Sequence, residues 1–76
     1  MERAIKKLRR RVRRRWYLRF NSFNKQLAKQ IARWQCYPCT EQLISIFQLK
    51  NIESINSVTI DDIDDVIDEE ISCWST

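Results

Sequence analysis

The sequence predicts an all-α fold, a small helical domain over residues 1–76. Two observations lead to this prediction. The chain contains no glycine and a single proline, whereas the tight turns of β-hairpins usually require glycine. Its apolar residues recur at spacings of three and four positions, which is the period of an amphipathic helix. A chain of this length buries only about 60% of the surface that it exposes when unfolded, so we expect marginal stability.

The first predicted element is one long basic helix over residues 3–35. Asn21-Ser22 is its weak point, where it would kink or divide in two. Because cations surround the apolar stripe almost completely before Phe20, we expect this half to be a rod that projects from the domain or lies on something acidic. We expect the second half to bury a clear apolar face. The stripe, in which each step is three or four positions, consists of Ile5, Leu8, Val12, Trp16, Phe20, Phe23, Leu27, Ile31 and Trp34.

The second predicted element is a core helix over residues 40–50. Pro38 disfavours the α conformation in the residue before it, so we expect the first helix to end there. Thr40 is a suitable N-cap, and Glu41 would lie in the first turn, where the helix dipole favours an acid. Apolar residues cover most of the circumference of this segment, which predicts a central position in the core.

The third predicted element is an acidic amphipathic helix over residues 59–72. Thr59 and Asp62 have the spacing of a capping box. An apolar stripe of isoleucine and valine would pack back on the second half of the long helix. The opposite face is acidic, and the residues on it that we predict to bind a partner are Asp61, Asp62, Asp64, Asp65 and Asp68.

Charge is divided unequally along the chain. Residues 1–35 contain thirteen Lys or Arg and one acid, whereas residues 36–76 contain one Lys and nine acids. The formal net charge of +4 therefore conceals a strongly basic half and a strongly acidic half. Such asymmetry is typical of a chain that binds a polyanion, masks its own charge, or does both.

The stretch RRRVRRRWYLRF, residues 9–20, is the principal candidate site. Like charges four positions apart destabilise an isolated helix by roughly 0.2–0.5 kcal/mol per pair, and an anionic partner would relieve this repulsion. Arginine makes bidentate contacts with phosphate, and aromatic rings stack on unpaired bases. In composition the stretch resembles the arginine-rich helices with which some viral regulatory proteins bind RNA. The predicted nucleic-acid-binding residues are Lys6, Lys7, Arg9, Arg10, Arg11, Arg13, Arg14, Arg15, Tyr17 and Arg19.

These features predict a non-enzymatic accessory protein, of a kind that viruses and phages encode, that binds RNA or DNA through phosphate contacts. The main alternative is a protein-binding inhibitor or assembly factor that docks on a larger machine, for example a polymerase, nuclease or ribosome. It would bind an acidic or nucleic-acid-binding protein through its basic helix and through an acidic helix that imitates nucleic acid. A homo-oligomer and an anionic membrane surface are further alternatives. No apolar run approaches the roughly 20 residues that cross a bilayer.

The sequence offers little for catalysis or for a cofactor. It contains no histidine, no glycine-rich phosphate loop and no nucleophile with an evident base. Cys36 and Cys39 have CxxC spacing, but with Cys73 they provide three thiols, whereas a structural zinc site needs four ligands. We therefore expect no metal and no cofactor. The odd number of cysteines favours a reducing intracellular compartment, the cytoplasm or, in a eukaryotic host, the nucleus.

Overall fold

The computed structural model describes residues 2–74, and over this range the chain forms four helices and no strands. α1 spans Glu2–Phe20, α2 spans Lys25–Ile46, α3 spans Ile52–Asn56 and α4 spans Ile60–Trp74. The all-α prediction is therefore confirmed.

The long helix predicted over residues 3–35 is divided into two helices at the weak point that the sequence indicates, Asn21-Ser22. α1 ends at Phe20, and the next four residues reverse the chain before α2 begins. Asn24 explains the new start, because its side chain accepts hydrogen bonds from the backbone N–H groups of Gln26 at 3.0 Å and Leu27 at 3.1 Å. Such a cap satisfies amides that the first turn of a helix otherwise leaves unpaired.

The separate core helix predicted over residues 40–50 is not present, because α2 continues through Pro38 to Ile46. Thr40, the expected N-cap, lies buried inside this helix, and its hydroxyl donates to the carbonyl of Cys36. An interior proline costs a helix about 3 kcal/mol, because it removes an N–H and crowds the carbonyl four residues earlier. Burial of the nearby Cys36, Cys39 and Thr40 in the core offsets this cost, a contribution that the local helix propensity does not include.

α2 turns a different face to the core from the one that the apolar stripe predicts. Phe23, Leu27 and Trp34, which belong to the predicted stripe, are exposed. The buried face begins with small side chains, which allow α2 to approach α1 closely, and the contact of these two helices is the most extensive in the described fold. The buried residues of α2 are Ala28, Ala32, Cys36, Cys39, Thr40 and Leu43.

Of the two expected arrangements, α1 adopts the second, because it does not project from the domain and lies against the acidic helix α4. Ala4, Leu8, Val12 and Trp16 are buried along it, one residue in each turn. This narrow stripe is enough because α2 and α4 both contact α1 and cover it. At 1.5 Å per residue the helix is about 28 Å long, which fits within the longest dimension of the molecule, 36 Å.

α4 begins at the capping box that the sequence predicts. The Thr59 hydroxyl accepts a hydrogen bond from the Asp62 N–H, and the Asp62 carboxylate accepts one from the Thr59 N–H, both at 3.1 Å. The predicted docking of α4 was incomplete, because the helix contacts α1 as well as α2. At the end of this contact the Trp74 ring stacks on the ring of Trp16, with centroids 5.6 Å apart.

Candidate functional site

The arginines of α1 are divided between two sides of the helix. Arg11, Arg15 and Arg19 follow one another at intervals of four and therefore share one side. All three form bonds with the C-terminal part of the chain. We call them the internal row. Four further arginines from the same stretch lie outside this row, and they are Arg9, Arg10, Arg13 and Arg14.

Arg15 makes the strongest bond of the internal row. Its Nε donates to Asp64 Oδ1 at 3.0 Å and its Nη2 donates to Asp64 Oδ2 at 2.8 Å. This is the bidentate arrangement in which a guanidinium and a carboxylate match each other. The hydrogen bonds to Asp64 raise the pKa of Arg15 above its ordinary value and outweigh the opposing effect of desolvation. Arg15 therefore remains cationic and fastens α1 to α4.

The other two members of the internal row extend the same attachment. Arg11 Nη2 donates to the backbone carbonyl of Val58 at 2.7 Å, in the segment that leads into α4. Arg19 pairs with Asp68, one turn beyond Asp64. The successive arginines of the internal row contact successive positions of the C-terminal segment. α1 and α4 therefore run in the same direction where they meet. The sequence predicted that these arginines bind phosphate. In the structure they instead join α1 to the C-terminal part of the chain.

A groove of about 850 Å³ lies between α1 and α2, on the other side of α1. Among the described residues that line it, none is acidic. α1 provides one wall and α2 the other, so the groove exists only because the chain reverses between these two helices. Its walls consist of Arg10, Arg13, Arg14, Tyr17, Gln26, Lys29, Gln30, Ala32, Arg33 and Trp34.

A smaller cavity of about 310 Å³ continues the groove toward the start of α1. Arg10, Arg13 and Arg33 line both spaces, so the two form one continuous surface. We call this surface the basic groove. The additional wall residues of the smaller cavity are Lys6, Arg9, Cys36 and Tyr37.

Arg9 lines the smaller cavity and packs over the Tyr37 ring. Its guanidinium carbon lies 4.5 Å from the centre of the Tyr37 ring, within the range of a cation–π interaction. The Nε atom is buried and has no hydrogen-bond partner among the described residues. Stacking on the ring fixes the plane of the guanidinium, a geometry that suits bidentate binding of an anion.

The basic groove concentrates positive charge. Five cations from α1 and two from α2 line its walls. In a concave site the protein walls have a low dielectric constant and focus the field, which attracts anions more strongly than the same charges on a flat surface. The seven cations are Lys6, Arg9, Arg10, Arg13, Arg14, Lys29 and Arg33.

The structure separates the predicted nucleic-acid-binding residues into three groups. The internal row takes Arg11, Arg15 and Arg19. Lys7 is exposed and lies outside the groove walls. The six that line the basic groove are Lys6, Arg9, Arg10, Arg13, Arg14 and Tyr17.

Sequence reasoning missed the contribution of α2 to this site. Lys29, Arg33 and Tyr37 are four positions apart, so they share one side of a helix. That periodicity was visible in the sequence. It could not be connected with α1 while the two segments were expected to form one long helix.

The acidic face predicted to bind a partner is largely engaged within the fold. Asp64 and Asp68 pair with arginines of the internal row, and Asp62 is part of the capping box. Asp61 and Asp65 remain exposed. The acidic helix α4 therefore neutralises part of the positive charge of α1.

The two cysteines of the CxxC spacing belong to the core. Cys36 and Cys39 are buried, and burial raises the pKa of both thiols, against the effect of nearby arginines on Cys36 and of the Trp16 indole on Cys39. Both thiols are therefore protonated and poorly nucleophilic at neutral pH. Within residues 2–74, no group of three or more His, Cys, Asp or Glu side chains is placed to hold a metal ion.

Neither a membrane-spanning helix nor a relative supplies a further lead. No helix within the described range is both long enough and apolar enough to cross a bilayer. No family model, curated protein or solved structure matches this chain. The geometry of the basic groove is therefore the main guide to function.

Proposed function

We propose that this protein binds nucleic acid, RNA or DNA, through the basic groove and catalyses no reaction. The observation that carries the proposal is the groove itself, a concave surface with seven cations and no acid among its described wall residues. Phosphate contacts by Lys and Arg dominate the affinity of proteins for nucleic acid. They also fix the position of the chain on the protein without reading its sequence.

The spacing of the cations supports a linear polyanion as the ligand. Lys6, Arg10 and Arg14 follow one another at intervals of four along α1, which corresponds to steps of about 6 Å. Lys29 and Arg33 repeat this interval along α2. Rows of positive charge on two facing helices suit an extended chain of phosphates better than a single compact anion.

The internal row strengthens the proposal indirectly. Carboxylates of α4 neutralise the charges that fold the domain, Arg15 and Arg19. The cations of the groove have no such carboxylate partner among the described residues. Their mutual repulsion is relieved when an anion binds, so binding and folding favour the same conformation.

The protein-binding alternative has less support. In addition to docking through the basic helix, it requires the acidic helix to imitate nucleic acid with Asp61, Asp62, Asp64, Asp65 and Asp68. Three of these five carboxylates already form hydrogen bonds or ion pairs within the fold.

The proposal is tested by measuring fluorescence anisotropy of labelled RNA and DNA with two double variants of equal charge. Arg13→Gln with Arg33→Gln removes two cations from the groove, and Lys7→Gln with Lys50→Gln removes two from outside it. Each lost phosphate contact should reduce the slope of log affinity against log salt by about 0.9 with duplex DNA and about 0.7 with a single strand. We expect the groove variant to lose about 1.4–1.8 units of slope and the control to lose less than about half of that.

Two results would contradict the proposal. The first is an absence of binding at low salt, with circular dichroism showing that the protein is folded. The second is an equal loss of affinity and slope in both double variants, which would indicate diffuse attraction to the net charge and no specific groove.

A further inference from the structure

Trp34 occupies an unusual position on the wall of the basic groove. Its side chain is one of the groove-lining residues, yet 70% of its surface is exposed. Large aromatic side chains are on average highly buried, and the sequence pattern placed Trp34 in the core. Within residues 2–74 its ring stacks on no other aromatic ring, whereas Trp16 and Trp74 stack on each other and on Phe20.

The groove contains a second aromatic ring on its opposite wall. Tyr17 of α1 lines the same space as Trp34 of α2 and packs partly against the core. Cations flank both rings, with Arg13 and Arg14 preceding Tyr17 and Arg33 preceding Trp34. Aromatic rings beside phosphate-binding cations are the combination with which proteins bind single strands, since bases stack on the rings while the backbone follows the charges.

The fold disfavours a duplex as the ligand. A helix with its side chains is about 10–12 Å wide and fills a DNA major groove of about 12 Å. α1 cannot enter such a groove deeply, because α2 and α4 both pack against it. In a duplex, moreover, the faces of the bases already stack on one another and are closed to a protein ring.

We infer that the basic groove selects single-stranded nucleic acid and that Trp34 stacks on an unpaired base, with Tyr17 as a second stacking residue. This inference rests on the proposed function and makes it more specific. The cations of both walls bind the phosphates. Stacking on the exposed indole increases the affinity for a single strand and does not increase the affinity for a duplex.

The test compares Trp34→Ala with Phe23→Ala on a labelled single strand and on the duplex of the same sequence. Phe23 is a matched control, because it is 83% exposed and lies outside the groove walls. Loss of one stacked base weakens single-strand binding by about 5- to 150-fold. We expect this loss for Trp34→Ala with the single strand, a change below about twofold with the duplex, and no change for Phe23→Ala with either.

Fluorescence supplies an independent readout. A base that stacks on the indole should quench Trp34 emission when the single strand binds, whereas Trp16 and Trp74 are stacked within the protein. In Trp34→Phe, which keeps an aromatic ring, anisotropy should still show binding while the quenching disappears.

The remaining outcomes would contradict either the stacking inference alone or the proposed function as well. Equal weakening of single-strand and duplex binding by Trp34→Ala, or a preference of the wild-type protein for the duplex, would refute the stacking inference and leave the proposed function standing. Failure of both nucleic acids to bind at low salt would refute both. Binding to phosphatidylglycerol vesicles in place of nucleic acid, abolished by Trp34→Ala, would assign the groove to anionic lipid and also refute both.

Discussion

Adjacent arginines of α1 should respond in opposite ways to the same substitution. Arg15 is bidentate to Asp64, and the two side chains are 32% and 25% exposed. Fully exposed ion pairs contribute about 0.2–1 kcal/mol, and hydrogen bonds to charged groups contribute about 1.5–3 kcal/mol. For a partly exposed pair we expect Arg15→Gln to lower the free energy of unfolding by about 1 kcal/mol, which lowers the Tm of a domain of this size by about 4–8 °C.

Arg14→Gln makes the identical chemical change one residue away. Arg14 is exposed and lines the basic groove. Its replacement relieves repulsion between like charges, so the Tm should stay constant or rise slightly. Nucleic-acid affinity should fall, and the salt slope should decrease by about 0.7 with a single strand. Arg15→Gln should leave the salt slope unchanged at temperatures where the variant is folded.

The assays are thermal unfolding by circular dichroism and anisotropy titration, applied to both variants. A double-mutant cycle of Arg15→Gln with Asp64→Asn should give a coupling energy of about 1 kcal/mol. The division of α1 into two functional sides would be refuted if Arg15→Gln reduced the salt slope as much as Arg14→Gln and left the Tm unchanged.

Four further changes test the fold. Leu8→Ala should cost about 2–5 kcal/mol and abolish cooperative thermal unfolding, whereas a projecting rod would tolerate it. Pro38→Ala should raise the Tm by several degrees, because it restores an N–H donor to the carbonyl four residues earlier; a lower Tm would show that the core requires the proline. Thr59→Ala should cost about 1 kcal/mol in urea unfolding and Thr59→Ser much less, because serine keeps the capping hydroxyl. Burial raises the pKa of Cys36 and Cys39 above the ordinary thiol value of 9.0, so above that pH the unfolded chain loses these protons first. Stability in urea should therefore fall as the pH rises through this window, and replacement of both cysteines by alanine should flatten the fall.

Local signals in the sequence predicted the features that depend on neighbouring residues. The capping box at Thr59 and Asp62 is an example, since both partners lie within one turn. The buried turn-by-turn stripe of Leu8, Val12 and Trp16 is another, because a period of four positions survives whatever the helix packs against.

Features that depend on distant parts of the chain could not be predicted in this way. The apolar periodicity of α2, which predicted its buried face, is set by its large side chains. The close contact with α1 instead buries two small side chains, Ala28 and Ala32. The helix through Pro38 exists because tertiary burial exceeds a local cost. Arg14 and Arg15 have nearly identical sequence surroundings, and only the position of Asp64, 49 residues away, distinguishes them.

The internal row also determines how strongly the chain attracts a polyanion. Residues 9–20 contain seven arginines, and a synthetic peptide of this segment would offer all of them to a ligand. In the intact protein Arg11, Arg15 and Arg19 are already bonded, and α2 supplies a second wall that the peptide lacks. The peptide should therefore bind polyanions with a steeper salt dependence and poorer discrimination than the protein. The tertiary structure therefore determines how many of these arginines can bind a polyanion, and that number is smaller than the number in the sequence.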